Sequence, residues 1–270
     1  MNATAVPKAI QPGVRAGGWI VAPARRTPPA LRLFCLPYAA GAASVYTGWS
    51  GALGEHIEVC PVEYPGRQTR WRESPHARLA PLVDELASAL EGELDVPYAL
   101  FGHSMGSLVA FELARELRRR GAGEPHALFV SGGRAPRLRH EQPRTHDQPD
   151  AFVVDRLRRL GGLPGEVCDE PELLELLMPA IRADFAVCET YEYRAEPLLT
   201  CPVVAFAGTE DPEVPAARMA PWAEETTGPF VRYELPGDHF FLRPSRTPLL
   251  DTVRAALTPC PTSYTRQEHR

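Results

Sequence analysis

The sequence predicts an α/β fold: a mostly parallel central sheet with helices on both faces. Three observations carry the prediction. Short apolar runs recur along the chain, amphipathic helical patterns separate them, and the two kinds alternate. The runs LRLFCL (31–36), IEVCPVEY (57–64), YALF (98–101), HALFVSG (126–132), CPVVAFAG (201–208) and FVRYEL (230–235) are mostly unbroken in apolar residues, as strands covered on both faces are. Between the second and third, Leu79, Leu82, Val83, Leu86 and Leu90 fall on one helical stripe. After the third, SLVAFELARELRRRG ends in basic residues and a glycine, as a helix C-terminus does.

From Arg134 to about Pro197 the alternation stops. Two or three helical patterns follow one another there without a strand, and Pro179 is expected to kink or divide the second. Residues 134–197 therefore read as a helical insertion above the sheet, between two parts of one core, 18–133 and 198–258. Residues 1–17 and 259–270, polar and interrupted by Gly or Pro, read as loose tails.

Composition narrows the function. With 270 residues, 44% hydrophobic, 23% charged and a net charge of -5, the chain is that of a soluble globular protein without the positive surplus that nucleic acid attracts. No run approaches the roughly 20 apolar residues of a membrane span. The six cysteines are scattered, with no C-x-x-C pair, and the first 30 residues hold no signal-like apolar segment. A cytoplasmic protein is the expectation.

The chemistry starts at Gly102-His103-Ser104-Met105-Gly106, a G-x-S-x-G pattern directly after a strand and before a helix. That context implies a tight turn with Ser104 on a strained backbone and its hydroxyl exposed. A serine hydroxyl attacks only when a base takes its proton, and in this topology the chain order is Ser, acid, His. His239 follows the last strand in LPGDHFFL and is the candidate base. Asp211, in the turn after VVAFAG, is the candidate acid. Glu210 competes with it, whereas Asp238, adjacent to His239, reads as a cap of its own turn. His103 is expected to point away from its neighbour. Two backbone N–H groups are needed for the oxyanion, and Met105 and Ala39 are the candidates, the second in the small-residue loop LPYAAGAAS.

RLFCLPYAAG, VEYPGRQTR, FGHSMGSLVAFELARELR, PELLELLMPAIRADFAVCETYEYR and LPGDHFFL together make the chain resemble the type II, or editing, thioesterases of polyketide and nonribosomal peptide synthesis, within the α/β-hydrolase superfamily. The resemblance implies Ser104 as nucleophile, His239 as base, Asp211 as acid and the Ala39 and Met105 amides as oxyanion hole. It implies that residues 134–197 are a helical lid over an acyl chamber, with Tyr38, Phe185, Tyr191 and Phe240 as candidate linings. Its substrate is an acyl group on the phosphopantetheine arm of an acyl or peptidyl carrier protein. The arm arrives with the substrate, so neither a metal nor a bound cofactor is expected. Ala40 stands where the family's loop usually has glycine, and its methyl is expected to narrow the mouth or to shift the oxyanion loop. Arg67 reads as a structural turn residue. Arg134, Arg137, Arg139, His140 and Arg144 form a basic cluster suited to docking an acidic carrier. A chain-terminating medium-chain thioesterase uses the same residues, and a non-catalytic carrier-protein binder is the reading from a different class.

Overall fold

The computed structural model describes residues 13–22, 29–141, 143–162 and 169–258. Two short strands, β1 (Gly13–Arg15) and β2 (Ile20–Ala22), pair antiparallel ahead of the main sheet. The predicted runs become β3 (Leu31–Leu36), β4 (Ile57–Pro61), β5 (Tyr98–His103), β6 (Leu128–Ser131), β7 (Val203–Gly208) and β8 (Phe230–Leu235). They form one six-stranded sheet in the order β4-β3-β5-β6-β7-β8, every neighbour parallel. The helices are α1 (Trp49–Leu53), α2 (Leu79–Leu90), α3 (Met105–Arg119), α4 (Asp150–Leu160), α5 (Pro171–Glu189) and α6 (Arg246–Leu257).

Alternation along the strands builds two cores. Leu33, Cys35, Ala99, Phe101, Phe129 and Phe206 face Trp49 of α1 and Leu249 and Val253 of α6. Phe34, Leu36, Leu100, Val130 and Ala205 face Leu82 and Leu86 of α2 and Val109 and Leu113 of α3. Each fully buried Leu or Phe contributes about 1.5–3 kcal/mol, so a sheet covered on both faces is well supplied. Only β8, at the edge, departs from that pattern among the described strands of this sheet, leaving Val231 and Tyr233 exposed.

Two expectations need correction. The loose-tail reading fails for residues 13–17, because Gly17 (φ 64°) and Gly18 (φ 101°) turn the chain so that β1 pairs with β2 and Ile20 is fully buried. Those glycines make a turn rather than disorder. Residues 1–12 and 259–270, with Cys168 and Cys260, lie outside the described residues. Nor does Pro179 divide its helix: α5 runs unbroken from Pro171 to Glu189. Pro179 and Glu175 are both exposed, so the missing hydrogen bond falls on the solvent side of the helix, where a proline is tolerated.

The strand order positions the site. From β3 the chain runs outward to β4, and from β5 it runs the other way to β6, so a crevice opens above the C-terminal ends of β3 and β5. The Ala39 loop leaves one end, and Ser104 the other.

Candidate active site

Ser104 joins β5 to α3 with φ 54° and ψ −117°, a region that costs a non-glycine residue about 1–3 kcal/mol. The surroundings hold it there: its N–H donates to Ser131 O at 2.7 Å and its carbonyl accepts from Ser107 N at 3.0 Å. The flanking glycines are sterically required. A Cβ on Gly102 would sit 2.0 Å from Gly106 O, and one on Gly106 would sit 2.0 Å from Leu36 O. The helix N-terminus is thereby pressed onto the end of β3, with its partial positive charge beside the hydroxyl.

Ser104 Oγ donates to His239 Nε2 at 3.0 Å, and His239 Nδ1 donates to Asp211 Oδ2 at 2.8 Å. Asp211 is itself fixed, its Oδ1 accepting from Glu213 N at 2.8 Å and Val214 N at 3.1 Å. Burial pushes its carboxyl up, but the hydrogen bond and charge of His239 and the two amides outweigh burial and hold it below the usual carboxylate value. The rivals separate as expected. Glu210 is exposed, and Asp238 accepts from Phe240 N at 2.7 Å, capping its own turn.

His103 does point away from Ser104, yet sequence reasoning missed its use. It is fully buried beneath the base, with Nε2 donating to the backbone oxygen of His239 at 2.9 Å and Ser131 Oγ donating to Nδ1 at 2.8 Å. Ser107, also missed, donates Oγ to Gly102 O at 2.9 Å and bridges β5 and β6. The signal for both was a polar residue inside a strongly apolar strand–turn–helix.

Ala39 and Met105 line the cavity with Ser104, and among the described residues neither backbone N–H has a hydrogen-bond partner within the protein. Next to Ala39, Ala40 adopts φ 65°, which accounts for the glycine expected there. Its N–H donates to Asp184 Oδ2 at 2.8 Å. The same carboxylate takes both ends of Arg67, Nη1 at 2.7 Å and Nη2 at 2.8 Å, while Nη1 also donates to Gly41 O at 3.1 Å. Arg67 and Asp184 are both buried. The structural reading of Arg67 holds, and the role is larger than a turn: α5 grips the loop at Ala40 and Gly41 through this pair. The Ala40 methyl packs against the cluster of Val153, Leu157, Met178 and Ile181 rather than lining the cavity, so the expected narrowing of the mouth is not what it does.

A cavity of about 510 Å³ opens over Ser104. Phe185, Tyr191 and Phe240 line it with Met105, as expected. Tyr38 does not. It lies buried behind Phe240, ring centroids 4.8 Å apart, and its hydroxyl accepts from Arg243 Nη2 at 2.7 Å, so it supports the wall from behind. The basic cluster disperses: Arg137 is paired to Glu224 and Glu225, Arg134 and His140 line the cavity, and Arg139 and Arg144 are exposed.

Two buried groups near the site give stability opposite dependences on pH. Burial, helped by the charge of His239, pushes the His103 imidazole from 6.5 down to about 3. Unfolded chains bind that proton near pH 6.5, so the stability it reflects is complete above that value and is lost as pH falls toward 3. Glu63, fully buried under the oxyanion loop with Oε1 unpartnered, is pushed by burial from 4.5 up to about 7, against the charges of Arg67 and Arg70 and the Ala43 amide. Its contribution has the opposite sign, falling as pH rises from 4.5 to 7. Urea midpoints measured from pH 5 to pH 6.5 are expected to separate them. Relative to wild type, His103→Gln should lose stability with rising pH and Glu63→Gln should gain it, each with a slope of up to about 1.4 kcal/mol per pH unit.

A six-stranded parallel sheet whose β5–α3 turn carries a serine hydrogen-bonded to a histidine, itself hydrogen-bonded to an aspartate, defines an α/β-hydrolase. The chain belongs to the thioesterase domain family, which matches residues 31–257, and is a hydrolase of that family. It is 40% identical over 242 residues to linear gramicidin dehydrogenase LgrE of Brevibacillus parabrevis, covering 88% of this chain and 92% of that one. Among solved structures it is similar to the RedJ thioesterase from the prodiginine pathway of Streptomyces coelicolor, with 42% identity, a TM-score of 0.81, and 87% and 95% of the two chains covered. It is also similar to BorB, a type II thioesterase from the borrelidin biosynthetic cluster, at 36% identity and a TM-score of 0.79, covering 88% and 96%. These relatives bear out the resemblance to type II thioesterases. Among the described residues no helix is long and apolar enough to cross a membrane.

Proposed function

We propose that the protein hydrolyses acyl groups from the phosphopantetheine arm of acyl or peptidyl carrier proteins, acting in trans and in the cytoplasm to clear stalled or wrongly loaded chains. The observation that supports this reading best is the hydrogen-bonded chain Ser104–His239–Asp211 at the floor of an apolar-lined cavity, with two unpaired amides beside the hydroxyl. Ser104 Oγ attacks the thioester carbonyl while its proton passes to His239 Nε2. The carbonyl oxygen gains charge against the Ala39 and Met105 N–H groups. As the C–S bond breaks, Nε2 gives that proton to the leaving thiol. Water then yields a proton to Nε2 and attacks the acyl-enzyme, and the free acid leaves as Ser104 regains its hydrogen. Asp211 keeps the imidazole oriented and stabilises its protonated form. No metal or bound cofactor enters these steps.

Residues 134–197 act as the lid, with α4 and α5 parting to admit the arm. The names of BorB and RedJ, which place those proteins in biosynthetic pathways, support carrier proteins as partners here.

A turnover panel on acetyl-, propionyl- and long-chain-loaded carrier proteins tests the reading, with the acid product and free thiol both quantified. Release of short acyl groups with little selectivity is the expected result. Strong selectivity for one long chain favours the chain-terminating role, and consumption of a reduced nicotinamide without acid release overturns hydrolysis. A protein that fails to react with a serine-directed fluorophosphonate overturns the catalytic reading and leaves a carrier-protein binder.

A further inference from the structure

Three arginines line the cavity over Ser104: Arg134, Arg156 and Arg218. Two of them are neutralised there, Arg156 by Glu213 at 2.9 Å and Arg218 by Glu141. Arg134 meets no carboxylate among the described residues. Its Nε donates to Leu138 O at 3.3 Å and its Nη2 to Cys188 O at 3.4 Å, both long, and its Nη1 makes no hydrogen bond within those residues. Among the described residues the cavity therefore carries one arginine without a carboxylate partner, tethered by two carbonyls. Burial is the largest influence on this guanidinium and lowers its pKa, with Arg218 acting in the same direction and Glu141 against it. A cation drawn partly out of water is stabilised by an anion brought to it.

The chain enters Arg134 from a fixed peptide next to the nucleophile. A Cβ on Gly133 would lie 2.5 Å from Ser107 Cβ and 3.1 Å from Ser104 O, and Gly133 O accepts from the buried Trp222 Nε1 at 2.7 Å. Arg134 and Ser104 line the same cavity, so an anion held by Arg134 shares that cavity with an acyl group bound over Ser104, whereas the phosphate of the arm is at the arm's far end from the sulfur.

We propose that Arg134 forms an anion subsite for the acyl group, so that acyl thioesters with a carboxylate near the thioester, of malonyl or succinyl type, gain affinity over neutral chains of equal length. The inference rests on the hydrolase reading above and names a substrate class for the same site. The guanidinium offers the carboxylate its Nη1 donor, in a cavity whose wall includes Phe185, Tyr191 and Phe240.

The test compares succinyl with pentanoyl and malonyl with butyryl thioesters, each on N-acetylcysteamine, which has no phosphate, and on a carrier protein. Wild type, Arg134→Met and Arg134→Lys are measured. The kcat/KM ratio of carboxylated to neutral substrate is expected to fall about tenfold to a hundredfold in Arg134→Met and to recover in part in Arg134→Lys. An unmoved ratio, or equal losses on both substrate classes, overturns the subsite. A loss confined to phosphopantetheine-bearing substrates, whatever their acyl group, assigns the anion to the arm's phosphate and also overturns it. Calorimetry on Ser104→Ala with a non-hydrolysable succinyl amide analogue and its pentanoyl counterpart reads binding without turnover. If wild type cleaves no thioester, the hydrolase reading fails while this titration still decides the subsite: tighter succinyl binding that disappears when Arg134→Met is added supports it, and equal binding of the two overturns it.

Discussion

Ser104→Ala and His239→Ala are each expected to lower kcat for acyl-carrier hydrolysis by about ten-thousandfold to a millionfold, with KM little changed. The reason is unitary action. The hydroxyl reaches the carbonyl only as an alkoxide in the making, and Nε2, 3.0 Å away, is the acceptor on hand for its proton. Removing either group removes the same step, so the double variant should be no worse than the worse single one. Asp211→Asn is expected to cost as much or less, because an amide facing Nδ1 favours the wrong tautomer but leaves the serine and the oxyanion amides in place. Single-turnover assays with the acyl-enzyme trapped by acid quench give the check. Additive losses in the double variant, or an acyl adduct still forming on Ser104→Ala, would show that another residue carries the attack.

Among the described residues Ser104, His239 and Asp211 are joined in one hydrogen-bonded chain, and the sequence points to the same three. The Ser104, Asp211 and His239 positions were legible because each is tied to a strand end, and strands in a parallel sheet announce themselves as unbroken apolar runs. The element order fixed which loops meet at the crevice. What stayed illegible was whatever depended on distant side chains. Tyr38 and Phe240 look alike in sequence, one behind the wall and one on it, and only the packing of Phe240 over Tyr38 separates them. The basic run from Arg134 to Arg144 looked like a docking face, but Glu224 and Glu225, almost ninety residues on, neutralise Arg137. Ala40 was noticed as a departure, yet its consequence depends on a backbone angle and on Asp184, 144 positions away. Glycine-rich sequence near residue 17 misled for a local reason: composition alone does not distinguish a turn from a loose end.

Asp184 then carries the second large effect. Asp184→Ala is expected to reduce kcat about a hundredfold to a thousandfold, the scale of losing one oxyanion donor, although this side chain is assigned no contact with substrate. With the carboxylate gone, Ala40 N–H loses its partner, and a left-handed alanine has little else to hold it; the loop relaxes and the Ala39 amide leaves its aim. The same change strands the Arg67 guanidinium in a buried site, which should destabilise the fold by about 3–5 kcal/mol. Loss of activity through unfolding and loss through misplacement must therefore be separated. Replacing both partners, Arg67→Met with Asp184→Leu, removes the stranded charge and should restore most of the melting temperature, since an apolar pair of similar bulk tolerates burial. Turnover should stay low, because no acceptor returns to the Ala40 N–H. If kcat recovers together with stability in the double variant, the pair merely holds α5 in place. If kcat stays depressed at a restored melting temperature, with KM for the acyl carrier near the wild-type value, the carboxylate of α5 sets the geometry at which the oxyanion is met.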